Sequence, residues 1–131
     1  MKKRRKGIVL IPDGYEPSED ELWAASIIAN EYAAEVEFME PSNAYEEQTA
    51  DILVDGIKHE IKTPRSIKSN RIFSLLWEGS KQADIIILNS RATTLSVNRL
   101  IAIARRVVRN KRSIEAIIVI DKYGFLTRIT R

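Results

Sequence analysis

Thr49-Ala50-Asp51-Ile52-Leu53-Val54-Asp55-Gly56-Ile57-Lys58-His59-Glu60-Ile61-Lys62 is the stretch whose reading decides the fold. Two β-like runs flank Asp55-Gly56, a dipeptide suited to a two-residue type I′ turn because both central residues need positive φ. With that turn, Val54 faces Ile57, Leu53 faces Lys58, Ile52 faces His59 and Asp51 faces Glu60. Side chains alternate along a strand, so Asp51, Leu53, Lys58, Glu60 and Lys62 share one face, expected to be open. Ile52, Val54, Ile57, His59 and Ile61 share the other, which reads as core. Two carboxylates directly opposite one another destabilise an antiparallel pair. Asp51 and Glu60 are therefore expected either in water or with a cation between them, and a divalent metal or Lys62 would serve.

Upstream, Gly7 to Ile11 reads as a short strand closed by the turn signal Pro12-Asp13-Gly14. Ser18 followed by Glu21 is a capping box, and the acids of the first turn suit the helix dipole. From Leu22 to Tyr32, the residues Leu22, Ala25, Ile28, Ala29 and Tyr32 recur at helical spacing as one buried stripe. Val36 to Met39 follows as a strand, and Pro41 to Glu47 as a polar loop.

Downstream, Thr63-Pro64-Arg65 ends the hairpin, since proline cannot continue a strand ladder. Ile67 to Gln82 is a helix with Ile72, Leu75, Leu76 and Gly79 on one side. Asp84 to Asn89 is an apolar run that predicts a strand covered on both faces. Ser96 caps a helix to about Asn110, with Leu100, Ile103, Ala104, Val107 and Val108 inward and arginines outward. Ala116 to Ile120 is another buried strand, and Tyr123-Gly124 turns into a last one, Phe125 to Thr130. The order α-β-β-β-α-β-α-β predicts an α/β fold with a mixed central sheet flanked by helices. One domain spanning 1–131, with 1–6 as a basic tail, accounts for the chain.

Composition excludes several classes of function. There is no cysteine, hence no disulfide framework and no thiolate chemistry. No apolar run reaches the roughly 18 residues of a membrane-spanning helix, and a cytoplasmic protein is expected. The single histidine, His59, neighbours Glu60 in sequence and so points to the opposite face, which disfavours histidine-based mechanisms. No Gly-rich phosphate loop or nucleophile elbow is found. The net charge of +3 is unevenly laid. Lys2, Lys3, Arg4, Arg5 and Lys6 form one basic cluster and Arg99, Arg105, Arg106, Arg109, Lys111 and Arg112 another, while most acids fall between Asp13 and Glu60. Such blocks are a footprint for a polyanion, and Lys2 to Lys6 with Arg99, Arg105, Arg106 and Arg109 are the candidate nucleic-acid contacts.

Asp51 with Glu60-Ile61-Lys62 across a hydrophobic hairpin resembles the core motif of PD-(D/E)XK nucleases, whose core shares the predicted order of elements. More narrowly, ADILVDGIKHEIKTP, followed by Gly79-Ser80-Lys81-Gln82-Ala83-Asp84, is similar to the C-terminal tRNA nuclease domains of contact-dependent growth inhibition (CdiA) toxins; the likeness runs from about Glu21 to about Ile120. The resemblance implies an endonuclease dependent on Mg2+ or another divalent cation that cuts nucleic acid, with tRNA as substrate. It implies catalytic roles for Glu21, Asp51, Glu60, Lys62 and Gln82, with Asp51, Glu60 and Glu21 as metal ligands, and an immunity protein as a possible partner. Glu21-Leu22-x-x-Ala25-x-x-Ile28-Ala29 resembles the helix that supplies the third carboxylate in that family, although Glu21 can equally close the capping box with Ser18. Gln82 would contact the scissile phosphate or cap a helix end, and Ser66 and Ser69 would line the cleft.

The chemistry suits such a site, because magnesium prefers a few carboxylates plus waters and phosphate oxygens. Lys62 beside two carboxylates suits charge stabilisation better than the role of base. Two alternatives stay open, a metal-independent toxin ribonuclease and a non-catalytic nucleic-acid-binding module. CdiA toxins are C-terminal pieces of long secreted proteins, whereas this chain opens on Met1 with no delivery region in view. That departure fits an excised domain, an orphan toxin, or a phage or housekeeping nuclease.

Overall fold

The computed structural model describes residues 7–40 and 51–131. The Lys2 to Lys6 cluster, the predicted loop from Pro41 to Glu47, and Thr49 and Ala50 lie outside the described residues. Among the described residues there are seven strands and three α-helices. They run β1 (Ile8–Leu10), α1 (Glu19–Tyr32), β2 (Glu35–Phe38), β3 (Ile52–Val54), β4 (Ile57–Lys62), α2 (Ser69–Gly79), β5 (Ile85–Asn89), α3 (Val97–Asn110), β6 (Ala116–Ile120) and β7 (Leu126–Ile129). A single 3-10 turn, Ser90–Ala92, leaves β5. The α/β class with a mixed sheet is as expected, and the strands read at Gly7 to Ile11 and Phe125 to Thr130, which the eight-element order left out, form its edges, β1 and β7.

The strands lie side by side in chain order, β1 to β7. Pairs β1–β2, β4–β5 and β5–β6 are parallel, each bridged by a helix, and the others are antiparallel. The hairpin takes the predicted register: Val54 pairs with Ile57, Leu53 with Lys58 and Ile52 with His59. Its turn residues Asp55 and Gly56 have φ of 47° and 83°, the left-handed values a type I′ turn requires. Asp55 does more than turn the chain, since its Oδ1 accepts from the Glu35 amide at 2.9 Å and ties the hairpin tip to β2.

Helix α1 covers one face of the sheet, where Ala25, Ile28 and Ala29 meet Val36, Phe38, Ile52, Val54, Ile61, Ile85, Ile87 and Ile118. Helices α2 and α3 cover the other, with Ile72, Leu76, Leu100, Ile103 and Val107 on Ile86, Leu88, Ile117 and Val119. Strands β5 and β6 therefore bury alternate residues on both sides, which explains their unbroken apolar sequences. All five predicted inward residues of α3 are buried. On α1 the stripe is displaced: Ala24 is buried, whereas Leu22 and Tyr32 are 38% and 43% exposed. Small residues let this helix lie close on the sheet. At Gly7 a Cβ would stand 2.1 Å from the Ala29 carbonyl oxygen, so the approach of the chain entering β1 admits only glycine. Leu22 and Tyr32 are left on the flanks.

Candidate active site

The site is built where β3 and β4 run side by side at the end away from the hairpin turn. Continuing the observed register by one residue puts Asp51 opposite Glu60. The Ile61 amide donates to Asp51 Oδ2 at 2.8 Å, and the Met39 amide donates to the Asp51 carbonyl at 3.1 Å, so Asp51 is held from both neighbouring strands. The Asp51 and Glu60 carboxyls are close enough for each to shift the other's pKa. Lys62 Nζ stands 3.2 Å from Glu60 Oε2. Three of the predicted residues thus form one cluster.

The face that carries them is not open. Glu60 is level with Ile86 and Lys62 with Leu88 on the neighbouring β5, so both point toward α2 and α3. The side chains of Glu60 and Lys62 are 7% and 21% exposed. Gly79, the last residue of α2, packs over the lysine stem: a Cβ there would come 3.4 Å from Lys62 Cε and 3.1 Å from Ile86 Cδ1.

Burial sets the electrostatics. Glu60 is pushed up to about 7, first by burial and then by its hydrogen bond with Asp51 and that residue's charge, with Lys62 opposing. Asp51 is raised as well, by burial above all and further by the charge of Glu21, against its hydrogen bonds and Lys62. Glu60 Oε1 is buried with no hydrogen-bond partner, and a proton held between the two carboxylates would ease their repulsion. Like charges this close, in a site drained of water, need either that proton or an added cation.

Glu21 does not join the cluster. Its Oε1 accepts from the Ser18 amide at 3.1 Å while Ser18 Oγ accepts from the Glu21 amide at 3.1 Å, a complete capping box. Helix α1 lies on the sheet face opposite Glu60 and Lys62, and among the described residues no three carboxylates or histidines are gathered as a metal-binding group. Glu21, the expected third metal ligand, closes the helix cap here, and its charge is felt at Asp51. Gln82 lies toward the other end of β4, beside Lys58 and Asp84. With its amide nitrogen turned to the end of α2, it donates to the carbonyls of Glu78 at 3.0 Å and Gly79 at 3.2 Å, the capping alternative for this residue. His59 is buried on the α1 face with Nδ1 2.9 Å from the Ile57 carbonyl, and burial lowers its pKa.

Beside Lys62, a cavity of about 670 Å³ opens between the Thr63–Ser66 segment and α2, with Arg71, Ser74 and Glu78 on the helix side. Ser66 lines it, and Ser69 lines an adjoining hollow with Arg71 and Ser74. Of the predicted nucleic-acid contacts, Arg99, Arg105, Arg106 and Arg109 are exposed on α3.

Residues without a sequence motif complete the surroundings. Tyr15, whose ring lies 6.0 Å from that of Phe38, is raised in pKa by burial and by the charges of Glu21 and Asp51. Arg65 and Arg91 reach Asp20 and Glu19 at 3.4 and 3.3 Å, joining the segments after β4 and β5 to the start of α1. Asn89, fully buried, donates to the Asp20 carbonyl at 3.1 Å. No periodicity marks these residues, because each acts across a long sequence separation.

The fold and the hairpin have relatives. Residues 48–126 match the model of the contact-dependent growth inhibition CdiA C-terminal domain. Among solved structures, the CdiA-CT/CdiI toxin and immunity complex from Burkholderia pseudomallei contains a chain similar in fold. The TM-score is 0.62 at 20% identity, over 95% of this chain and 100% of that one. None of the curated proteins compared with the chain matches it. Since the family match takes in the hairpin, the cluster and all the strands from β3 to β6, this chain belongs to the CdiA C-terminal domain family of contact-dependent growth inhibition.

Proposed function

We propose that the domain is a growth-inhibiting toxin that acts as a divalent-metal-dependent endonuclease on RNA, with tRNA as its target. The observation that carries this reading is the pair of buried Glu60 and half-buried Asp51, with one Glu60 oxygen lacking a donor and Lys62 beside it. A pair of buried acids is costly to ionise without a partner. Two carboxylates from adjacent strands fit a hard cation such as Mg2+, which takes one or two protein carboxylates and completes its shell with waters and substrate phosphate oxygens. The cation would neutralise phosphoryl charge and activate a water. Asp51 is aimed by the Ile61 amide and Glu60 by Lys62, and the Lys62 ammonium would stabilise negative charge developing on the scissile phosphate. The cavity beside Thr63 gives a strand room to approach. Because the chain of similar fold comes from a toxin and immunity complex, an immunity protein is the expected partner.

A second reading draws on the same pair. A carboxyl brought to about 7 beside an ionised one suits general acid–base catalysis without metal. Total tRNA and plasmid DNA incubated with and without Mg2+ separate the two. The metal-dependent reading expects tRNA cleavage that EDTA abolishes; cleavage that survives EDTA favours acid–base catalysis, and intact tRNA under both conditions ends the nuclease reading.

A further inference from the structure

Phe73 and Trp77 lie four residues apart on α2 and stack with ring centroids 5.6 Å apart and planes 25° from parallel. Both are partly buried, packed against the α2–α3 core and still open to solvent. Each carries a cation: Arg106 Cζ lies 4.8 Å from the Phe73 ring centre and Lys111 Nζ 4.8 Å from that of Trp77. Beside the pair is a groove of about 370 Å³ with Asn110 at its wall. It shares the wall residues Ser74 and Glu78 with the cavity between the Thr63–Ser66 segment and α2, so the two hollows lie on either side of the same α2 residues.

Cations crowd this side of the molecule; the groove also has an acid at its wall, Glu78, which pairs with Lys81 at 2.8 Å. Arg99, Arg105, Arg106, Arg109 and Lys111 lie on or just beyond α3, and among the described residues none of them is within ion-pair distance of a carboxylate. A helix made only for packing does not need this field, and an isolated cation–π pair does not need five cations. Single-stranded nucleic acid is bound by this combination, a cationic track for phosphates with aromatic faces on which unpaired bases stack. A duplex offers no free base face, so the fitting occupant is a single strand or a loop.

We propose that Phe73 and Trp77 are a base-stacking platform for an unpaired segment of the RNA substrate, with Arg106 and Lys111 moving from the rings to the adjoining phosphates. This rests on the RNA-cleaving reading and adds to it a preference for unpaired bases beside the cut.

The test uses binding in divalent-free buffer. The chain has two tryptophans, so W23F leaves Trp77 as the sole reporter. A short single-stranded oligoadenylate RNA should quench its fluorescence, and a fully paired hairpin should not. In that background W77L and F73L keep apolar bulk on α2 but remove the ring; each should weaken binding of a fluorescein-labelled oligoadenylate, read by anisotropy for every variant, about tenfold. W77F should stay within about threefold. Absence of quenching, or parental affinity in both leucine variants, overturns the platform. Parental RNA affinity together with abolished retention on polyglutamate would also overturn it, marking the face for an acidic protein. RNA cleavage is scored separately. Quenching without cleavage supports the platform and removes the nuclease reading; cleavage by W77L at parental RNA affinity does the reverse.

Discussion

Glu60 is an acid whose folded-state pKa is raised, the reverse of a salt-bridged carboxylate, and that sets the sign of its pH effect. The unfolded chain releases this proton near 4.5, while the folded one keeps it to about 7. Between those values the native state binds more protons, so stability falls as pH rises and levels off above about 7. Melting temperature should decline from pH 5 to pH 8 in the metal-free protein. Glu60→Gln, which keeps an amide hydrogen bond toward Asp51 without the charge, should flatten that decline while abolishing cleavage; a Gln variant with the parental slope would place the titrating group elsewhere. Truncating Asp51 is less clean. Relief of its repulsion with Glu60 is offset because Ala would leave the Ile61 amide without its acceptor, which costs about 1–3 kcal/mol. Asp51→Asn, which retains an acceptor oxygen, is the better probe: inactive, and melting within a few degrees of the parent. At this scale the sequence was half legible. The alternation of the hairpin announces that Asp51, Glu60 and Lys62 share a face, but not that the face is buried. Glu21 satisfied a local capping pattern and a family pattern at once, and the local one determines where its side chain goes.

Helix α2 shows why burial of the site was not readable. Its apolar residues predict one packed side, yet the packing of Gly79 over the Lys62 stem is a meeting of residues far apart in sequence. Gly79→Ala should be tolerated within about 1 kcal/mol, since the methyl meets only the tip of Ile86 and alanine favours helix. Gly79→Leu must displace the Lys62 stem, so cleavage should fall to the level of Lys62→Ala. The titration step of Glu60 should also move to higher pH, because the lysine that opposes its upward shift has left. Thermal melts across pH read both effects, and a Leu variant with parental cleavage and an unmoved step would show that α2 does not position the lysine. Helix starts were the most legible elements. Ser18 and Ser96 accept from the amides of Glu21 and Arg99 as capping chemistry dictates, for that signal is contained within four residues. The inward stripe of α1 was less so, because alanines and Gly7 let the helix approach on a face that hydrophobicity alone does not favour.

For the molecule as a whole, charge separates by face. Exposed arginines crowd α3, whereas acids and arginines neutralise one another at the start of α1. Reversing Arg105 and Arg109 together should weaken binding to RNA of any sequence. It should also lower the log–log salt slope by about 1–2, given a slope of close to ~0.7 for each single-strand phosphate that a cation neutralises. Anisotropy titrations over a range of salt would reveal it, and an unchanged slope would remove α3 from the interface. Fold class was legible at this scale because unbroken apolar runs and two-faced burial are properties of whole strands. The partner across the sheet of each charged side chain was not. The strict left-to-right order of the strands has a mechanical consequence. The first and last strands are the two outer edges of the sheet, each gripped by a single neighbour. Tension applied to the ends of the chain therefore runs across the strands, along their hydrogen bonds, and opens rows one after another instead of shearing many together. A single molecule stretched from its termini should come apart in a series of small, low-force steps.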